Sequence, residues 1–581
     1  MKIEDGELAM AEAQVQKLKG LKLLGAALRN RKLGIMLIFG FAAGLPYALL
    51  LGTLYAWLSE AKVDLETMGV FSLIGLAYAF KFLWAPVVDR ARLPVLERLG
   101  RRKGWLVLAQ ASLGLILIIL SQLNPQTSLG WFSLLAGFGA FASATQDIVI
   151  DAWRVDVADD VATVEILSTV YQFGYRIAAL VGGALALIMA ERIGWPNVYL
   201  IMGFAMLVVL MATFFAPDTV RPAAATTDAE MLGTGQLTRT VRNGAMAIVG
   251  TMWAWALITV IVFMVRSLGA APENRPDSAA FIALYGPLIV IATVIVPAIV
   301  AAVLERWRAT GRHVVGDAVR APSALDRLVD HGYRALLMPL SEIIGRLGWA
   351  SILVLAIILS YRLTDSIWGP FAYPFYLGEL QYTNDEVAVA SKFFGVGMTM
   401  LGISLGAISF ATWGRLPTLI LGATIAAASN LLYADLALGG AGLDIFGRGS
   451  GFYWLVGQFG AEPRFARLML AISGENIAGG LAGAAFVAYL SSITSKQFSA
   501  VQYALLSSLT FLVGALGRGA IGKGIEVNGY AWAFFLTAGL GLIAVVLCIV
   551  EWIRVSRLGP ANQDPAGSPP GPIPPGKATP R

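Results

Sequence analysis

Apolar residues in this chain gather into runs of about 20, the length a helix needs to cross a hydrocarbon layer. The runs fall near 33–57, 67–88, 104–122, 130–153, 165–190 and 196–216, then 244–266 and 280–304, then 350–378, 386–410, 417–437, 465–490, 500–520 and 530–553. They are continuous rather than alternating in ten-residue segments, which excludes an outer-membrane barrel and predicts an all-α polytopic bundle of about 14 spans. Between the eighth and ninth spans, residues 322–348 place apolar side chains at helical spacing with Arg among them. This predicts a helix lying along the membrane surface.

The polar connections carry the orientation. The 89–103 loop holds Arg90, Arg92, Arg98, Arg101, Arg102 and Lys103, and the 305–349 loop holds seven arginines, whereas 122–130 and 379–385 hold no basic residue. An excess of Lys and Arg marks the cytoplasmic side, so both termini are expected there. Residues 1–32 read as a cytoplasmic N-terminal segment, basic where it meets the first span. Residues 555–581, rich in Pro and Gly, read as a disordered cytoplasmic tail. Glu4, Asp5 and Glu7 precede any apolar run, so no cleavable leader is expected.

A weak internal repeat divides the rest. Leu54-Tyr55-Ala56-Trp57-Leu58 followed by Asp64-Leu65-Glu66-Thr67 matches Tyr373-Pro374-Phe375-Tyr376-Leu377 followed by Thr383-Asn384-Asp385-Glu386. Two six-helix halves, 33–216 and 350–554, flank an insert, 217–349, that holds two further spans and the amphipathic segment. This is the major-facilitator arrangement with a two-helix insert. The insert spans carry no Asp, Glu or Lys in their apolar runs and are expected to face lipid.

Composition agrees: 57% of the 581 residues are hydrophobic and 14% charged, with a mean hydropathy of +0.71. The net charge of +6 resides in particular loops and does not imply nucleic acid. Cys548 is the single cysteine and His313 and His331 the only histidines. No intramolecular disulfide, His-based proton relay, His-rich metal site or Ser-His-Asp hydrolase is therefore expected. Without a soluble effector domain or catalytic constellation, neither a membrane enzyme nor a non-transporting sensor is favoured.

Charges within spans narrow the chemistry, since they are costly in lipid and must face protein or a watery cavity. Asp147 and Asp151 stand four residues apart on one helix face. At about 1.5 Å per residue, Lys81 lies roughly 21 Å from Thr67 and Asp147 roughly 24 Å from Trp131, so the two are level and able to pair. Such a pair can serve transport or simply fix helix packing. Asp151 and Arg154 come out nearer the cytoplasmic interface and are assigned, with Asp89, Arg90, Arg101 and Arg102, to a gate whose salt bridges close that side. A purely topogenic basic loop is the alternative. Gln146, Gln172, Arg176 and Lys81 in the N-terminal half, and Arg362, Lys392 and Asn476 in the C-terminal half, are candidate substrate ligands. Glu475, beside the small-residue tract Gly479-Gly480-Leu481-Ala482-Gly483, is the preferred proton carrier, with Asp365 and Asp147 as further candidates.

These motifs resemble the AmpG muropeptide permeases, within the peptide/acetyl-coenzyme A transporter branch of the major facilitator superfamily. The matching stretches are Gly40-Phe41-Ala42-Ala43-Gly44-Leu45-Pro46, Lys81-Phe82-Leu83-Trp84-Ala85-Pro86 with Asp89-Arg90, Ser143-Ala144-Thr145-Gln146-Asp147-Ile148-Val149 with Asp151-Ala152-Trp153, and Gly174-Tyr175-Arg176. Glu475-Asn476 and Phe498-Ser499-Ala500-Val501-Gln502-Tyr503 match in the C-terminal half. The resemblance covers both halves and departs at 217–349, where shorter members have only a loop. It implies a proton-coupled symporter of the bacterial inner membrane, a monomer without a cofactor beyond the proton gradient. Its implied cargo is the GlcNAc-1,6-anhydroMurNAc peptides, imported for peptidoglycan recycling and indirectly for β-lactamase induction. A related cargo, a siderophore or an acyl-coenzyme A, is the alternative.

Overall fold

The computed structural model describes residues 29–62, 74–91, 93–217, 236–269, 274, 276–315, 329–362, 372 and 374–557. Within them the chain is helical apart from a two-residue antiparallel pairing of Gln236–Leu237 with Val314–Val315. Eleven helices are long and apolar enough to span a membrane, or 12 if one sharply bent pair counts as a single span. The fold is thus the expected all-α polytopic bundle, with fewer unbroken spans than the apolar runs suggest.

The first six helices are α1 (Arg31–Leu58), α2, α3 (Arg101–Gln122), α4 (Gly130–Val157), α5 (Val164–Ile193) and α6 (Trp195–Phe214). Helix α2 is broken into Ile74–Ala79, Lys81–Leu83 and Ala85–Arg90, because Pro86 opens a new first turn. The insert holds α7 (Arg239–Ser267), α8 (Ala280–Ala309) and the amphipathic α9 (Val329–Leu347). Next come α10 (Ala350–Tyr361), α11 (Glu386–Trp413) and α12 (Arg415–Ala437). Short helices α13 (Ala441–Gly449) and α14 (Phe452–Gly457) lead into α15 (Pro463–Ile493), α16 (Ser499–Ser508) and α17 (Thr510–Arg557), the last broken at Gly529, whose φ is 77°. The missing unbroken spans are accounted for by α2, α10 and the α16–α17 pair. The expected N-terminal surface segment up to residue 28, the tail from 558, and the Asp64–Thr67 copy of the repeat lie outside the described residues.

The second copy of the repeat is explained by its chemistry. Thr383 N and Oγ1 donate to Glu386 Oε2 at 2.8 and 3.1 Å, and Glu386 N donates to Thr383 Oγ1 at 3.2 Å. That reciprocal capping box is what Thr-x-x-Glu before an apolar run predicts.

Each bundle is tightened where a helix pair crosses on glycines. Helices α1 and α5 touch so closely that a Cβ on Gly40 would stand 2.2 Å from the Tyr171 carbonyl oxygen, and one on Gly174 2.2 Å from that of Leu37. In the C-terminal bundle, α11 and α15 cross the same way. A Cβ on Gly402 would lie 2.1 Å from Ile477 O, and one on Gly480 2.2 Å from Thr399 O. Lipid tails supply no hydrophobic drive between helices, so such backbone approach is a main source of their association.

The insert packs against both bundles through α8, which meets α2 and α17. Only 22% of the most apolar window of α7 is buried, in keeping with a lipid-facing helix. Helix α8 anchors the pair through Phe281, which stacks on Phe263 at 3.9 Å and meets Phe80 of α2 edge-on at 6.3 Å. Helix α9 turns by 109° into α10 at Gly348, whose φ is 59°, and buries Tyr333, Leu337, Leu340 and Ile343. It is helical over the described part of the expected segment and bonds to both bundles.

Replacing Gly174 by Val forces α5 from α1 by a full side chain. We expect a loss of about 3 kcal/mol or more, at the upper end of overpacking costs. A drop in the melting temperature of the detergent-solubilised variant, with Gly183→Ala as an unaffected control because Gly183 faces open space, checks this.

Candidate functional site

Pro46 inside α1 has a local consequence that reaches the site. Pro46 has no N–H to give to the Ala42 carbonyl one turn back. Gln146 Nε2 of α4 takes that vacancy, donating to Ala42 O at 2.7 Å. Gln146 is fully buried, so this candidate substrate ligand is placed as a helix-packing group instead.

One turn on, the charges begin. Lys81 Nζ lies 3.4 Å from Asp147 Oδ2 and 3.9 Å from Asp151 Oδ2. Arg154 Nη2 pairs with Asp151 Oδ1 at 3.0 Å. The four form one chain, Asp147–Lys81–Asp151–Arg154, with two positive and two negative charges. Asp151 keeps the Arg154 partner expected of it and is also linked to Asp147 through Lys81. The i, i+4 spacing puts both carboxylates on one face, and the long Lys81 side chain reaches both. Arg154, fully buried, continues the chain into the other bundle. Its Nε donates to Ser491 Oγ of α15 at 3.1 Å, and its guanidinium lies over the rings of Tyr171 and Tyr503, 5.0 and 5.1 Å from their centroids.

Nearer the basic-loop end lies a second cluster. Arg102 pairs with Asp89 at 3.0 Å and with Asp156 at 2.9 Å. Arg102 Nη2 also donates to Ser499 Oγ at 2.7 Å, and Ser499 Oγ donates to Asp156 Oδ1 at 2.7 Å. Arg101 pairs with Asp89 at 3.5 Å. Arg90 is directed elsewhere, donating to the Arg334 carbonyl oxygen of α9. Asp89, Arg101 and Arg102 thus come together, with Arg90 beside them. Asp156 and Ser499 were missed by sequence reasoning. Ser499 stood within a motif, and Asp156 follows Arg154 on the face that turns to α3.

Further contacts join the bundles at this end. Lys496 Nζ donates to Ala158 O at 3.2 Å, and Arg415 pairs with Glu165 at 3.4 Å. Helix α9 adds Arg346 Nη2 to Ile493 O at 2.7 Å, and Gln502 Nε2 donates to Pro339 O at 2.8 Å and Glu342 Oε2 at 2.7 Å. In the loop after α4, burial opposes ionisation of Asp159, but a 2.5 Å bond from Lys32 and the N–H groups of Val161 and Ala162 outweigh it and hold its carboxyl below the ordinary value.

In the centre, Gln172 of α5 and Arg362 at the end of α10 meet over Gly483 of α15. A Cβ there would lie 3.7 Å from Arg362 Nη1 and 4.0 Å from Gln172 Nε2. Arg176 stands on the same helix as Gln172, its Nε buried without a hydrogen-bond partner. Tyr47, 41% exposed, packs edge-on to Tyr78 at 5.1 Å and tilted to Tyr175 at 6.1 Å. These tyrosines were not foreseen, because aromatic residues in a span read as belt or core.

In the C-terminal bundle Glu475 accepts a hydrogen bond from Tyr433, whose hydroxyl lies 2.7 Å from that of Tyr376. Asn476 is committed to packing: its Oδ1 accepts from Thr399 Oγ1 at 2.8 Å and its Nδ2 donates to Ile472 O at 2.9 Å. Asp365 and the side chain of Lys392 lie outside the described residues.

Known proteins bear on this arrangement. The family model described as acetyl-coenzyme A transporter 1 matches residues 32–131. The anhydromuropeptide permease of Escherichia coli K12 is 28% identical over 90% of this chain and 81% of its own length. The putative transporter AmpG 4 of Rickettsia conorii is 27% identical over 89% of this chain and 96% of its own. Among solved structures, the proton:xylose symporter XylE aligns with a TM-score of 0.48 at 11% identity, covering 91% of this chain and 95% of that one. Over about nine-tenths of its length the chain is thus similar in sequence to AmpG-type permeases and transporters.

Proposed function

We propose that this transporter carries anhydromuropeptides from periplasm to cytoplasm across the bacterial inner membrane, in symport with protons and by alternating access. The observation that carries the reading is the line of buried charges Asp147–Lys81–Asp151–Arg154, which runs from the space between the bundles to a hydroxyl of the opposite bundle. Intramembrane charges of this kind mark solute and ion pathways. The name of the E. coli relative supports the cargo, and the basic loops assign the end closed by Arg102 and Arg154 to the cytoplasm.

Roles follow from the geometry. A muropeptide carries carboxylates, amides and sugar hydroxyls. Arg176, Arg362 and Gln172 meet at the centre where a carboxylate and its amide neighbours would sit, and Tyr47 offers an apolar body with a polar tip. Lys81 has two carboxylates to share. Protonation of Asp147 would leave the ammonium with Asp151 alone and free a donor for the cargo. Glu475 is the principal proton carrier. The Tyr433 hydroxyl donates to its carboxylate, a bond that a proton arriving on Glu475 would rearrange. Asp365, one helical turn beyond Arg362 in sequence, remains a further carrier.

The acetyl-coenzyme A transporter match over residues 32–131 favours a second reading, in which the cargo is an acyl-coenzyme A. Both cargoes are amphipathic anions and would use the same arginines.

Uptake of radiolabelled GlcNAc-anhydroMurNAc peptide into vesicles separates these readings. Accumulation should be faster with an acidic exterior, collapse on adding an uncoupler, and be competed by unlabelled disaccharide but not by coenzyme A esters. Uptake indifferent to the uncoupler removes the proton coupling, and competition by the esters alone moves the assignment to the second reading.

Glu475→Gln keeps an acceptor for Tyr433 but cannot take up a proton. It should abolish accumulation against a gradient while leaving exchange of internal for external substrate within about twofold of wild type, since packing is preserved. Wild-type accumulation with an unchanged pH profile eliminates Glu475 as carrier.

Arg102→Met removes the partner of two buried carboxylates at once. A loss of about 3–5 kcal/mol is expected, as for other broken buried pairs, and reversing it should require Asp89→Asn and Asp156→Asn together. Thermal unfolding of the single and triple variants measures both.

A further inference from the structure

At the basic-loop end, α2, α7 and α9 enclose a groove of about 700 Å³ that opens to the outside of the bundle. Its walls are Val87, Ala91, Met246, Ala247, Val329 and Ala335, and its polar rim is Arg90, Asn243 and His331. Val87 points into it with 57% of its surface exposed. Arg90 donates to the Arg334 carbonyl and so ties the first turns of α9 to the end of α2. On the far wall, α7 approaches α9 until a Cβ on Gly332 would stand 2.8 Å from Met246 Cε.

Positive charge gathers around the mouth. Arg90 and His331 stand on the rim, and Arg242 and Arg334, next in sequence to the lining residues Asn243 and Ala335, both pair with Asp330, at 3.5 and 3.0 Å. An apolar slot with a cationic mouth, at the level where a helix end meets the headgroups, has the chemistry of one kind of ligand. We propose that this groove is a binding site for one anionic phospholipid of the inner leaflet, with an acyl chain between α2 and α7 and the phosphodiester at Arg90 and His331. This gives the insert helices a role. Helices α7 and α9 supply most of the site, and the lipid bridges them to α2, the helix that carries Lys81 and Asp89. A diacylglycerol phosphate is required, since inorganic phosphate cannot fill the apolar walls.

The test uses the full-length protein reconstituted in mixed phosphatidylcholine and phosphatidylglycerol nanodiscs, followed by native mass spectrometry of the lipid retained after release. Wild type should keep one phosphatidylglycerol in preference to phosphatidylcholine by roughly fivefold, the factor contributed by about one basic side chain near an anionic surface. Ala247→Trp, which fills the slot at an exposed lining position, should retain neither lipid while its melting temperature in phosphatidylcholine stays that of wild type. His331→Glu, at the exposed rim, should lose the preference but still retain phosphatidylcholine. Equal retention of both lipids by wild type, unchanged retention by Ala247→Trp, or stabilisation by inorganic phosphate to the same degree as by phosphatidylglycerol would each overturn the proposal.

Discussion

The arrangement of this bundle depends on how it keeps Arg102 charged. Its side chain is 1% exposed, against 2% for Asp89 and 8% for Asp156. A guanidinium cannot shed its proton, so in low dielectric it must be met by carboxylates. Asp89 arrives from the end of α2, Asp156 from the end of α4, and Arg102 itself from the start of α3. Three helix ends are pinned in register by one cation. With the α1–α5 crossing on Gly40 and Gly174 holding the other side of the bundle, the heights of Lys81 and Asp147 are largely fixed, and their ion pair follows.

The insert is tied into the same region. Helix α9 accepts Arg90 of the N-terminal bundle on its Arg334 carbonyl, receives Gln502 of the C-terminal bundle on Pro339 O and Glu342, and reaches Ile493 O through Arg346. A surface helix that bonds to both bundles cannot stay rigidly attached to both if they rock apart. Its neighbour α7 carries few buried residues, so α7 can move with either bundle at little cost in packing. This explains how a lipid-facing pair can be inserted between halves without disturbing the helices that hold the charges.

Much of this was legible in the sequence, and the limits have physical causes. Run length revealed the bundle, because lipid permits few alternatives for a backbone that must satisfy its own hydrogen bonds. The breaks in α2 and the α16–α17 pair were not visible, since an apolar run reads the same whether its helix is straight or interrupted. Depth counting matched Lys81 with Asp147 correctly. It then separated Asp151, because it measured Cα heights and ignored the several ångströms a lysine side chain can travel. Gln146 and Asn476 looked like ligands because polar amides in spans are uncommon. Seeing that Gln146 answers the missing N–H of Pro46 required the pairing of α1 with α4, which no single stretch encodes. Tyr433, Ser491, Ser499 and Asp156 were hidden for the same reason: each matters through a partner distant in sequence.

The two arginine clusters share a division of labour that bears on how the closed end can open. Both carboxylates of Arg102 belong to the N-terminal bundle, and so does Asp151, the partner of Arg154. What the C-terminal bundle contributes to these arginines is uncharged: the hydroxyls of Ser499 and Ser491 and the ring of Tyr503. Separating the bundles here therefore breaks hydrogen bonds to charged groups, worth about 1.5–3 kcal/mol each, and leaves every one of these arginines with a carboxylate. Had the ion pairs themselves crossed the interface, opening would strand buried charges at about 3–5 kcal/mol apiece. An ion pair that does cross, Arg415 with Glu165, has side chains 19% and 18% exposed, where water can take over as they part. For both buried arginines, charge compensation stays within a bundle and only neutral acceptors span the interface. The bundles are thus joined at this end by contacts that can part without stranding a buried charge.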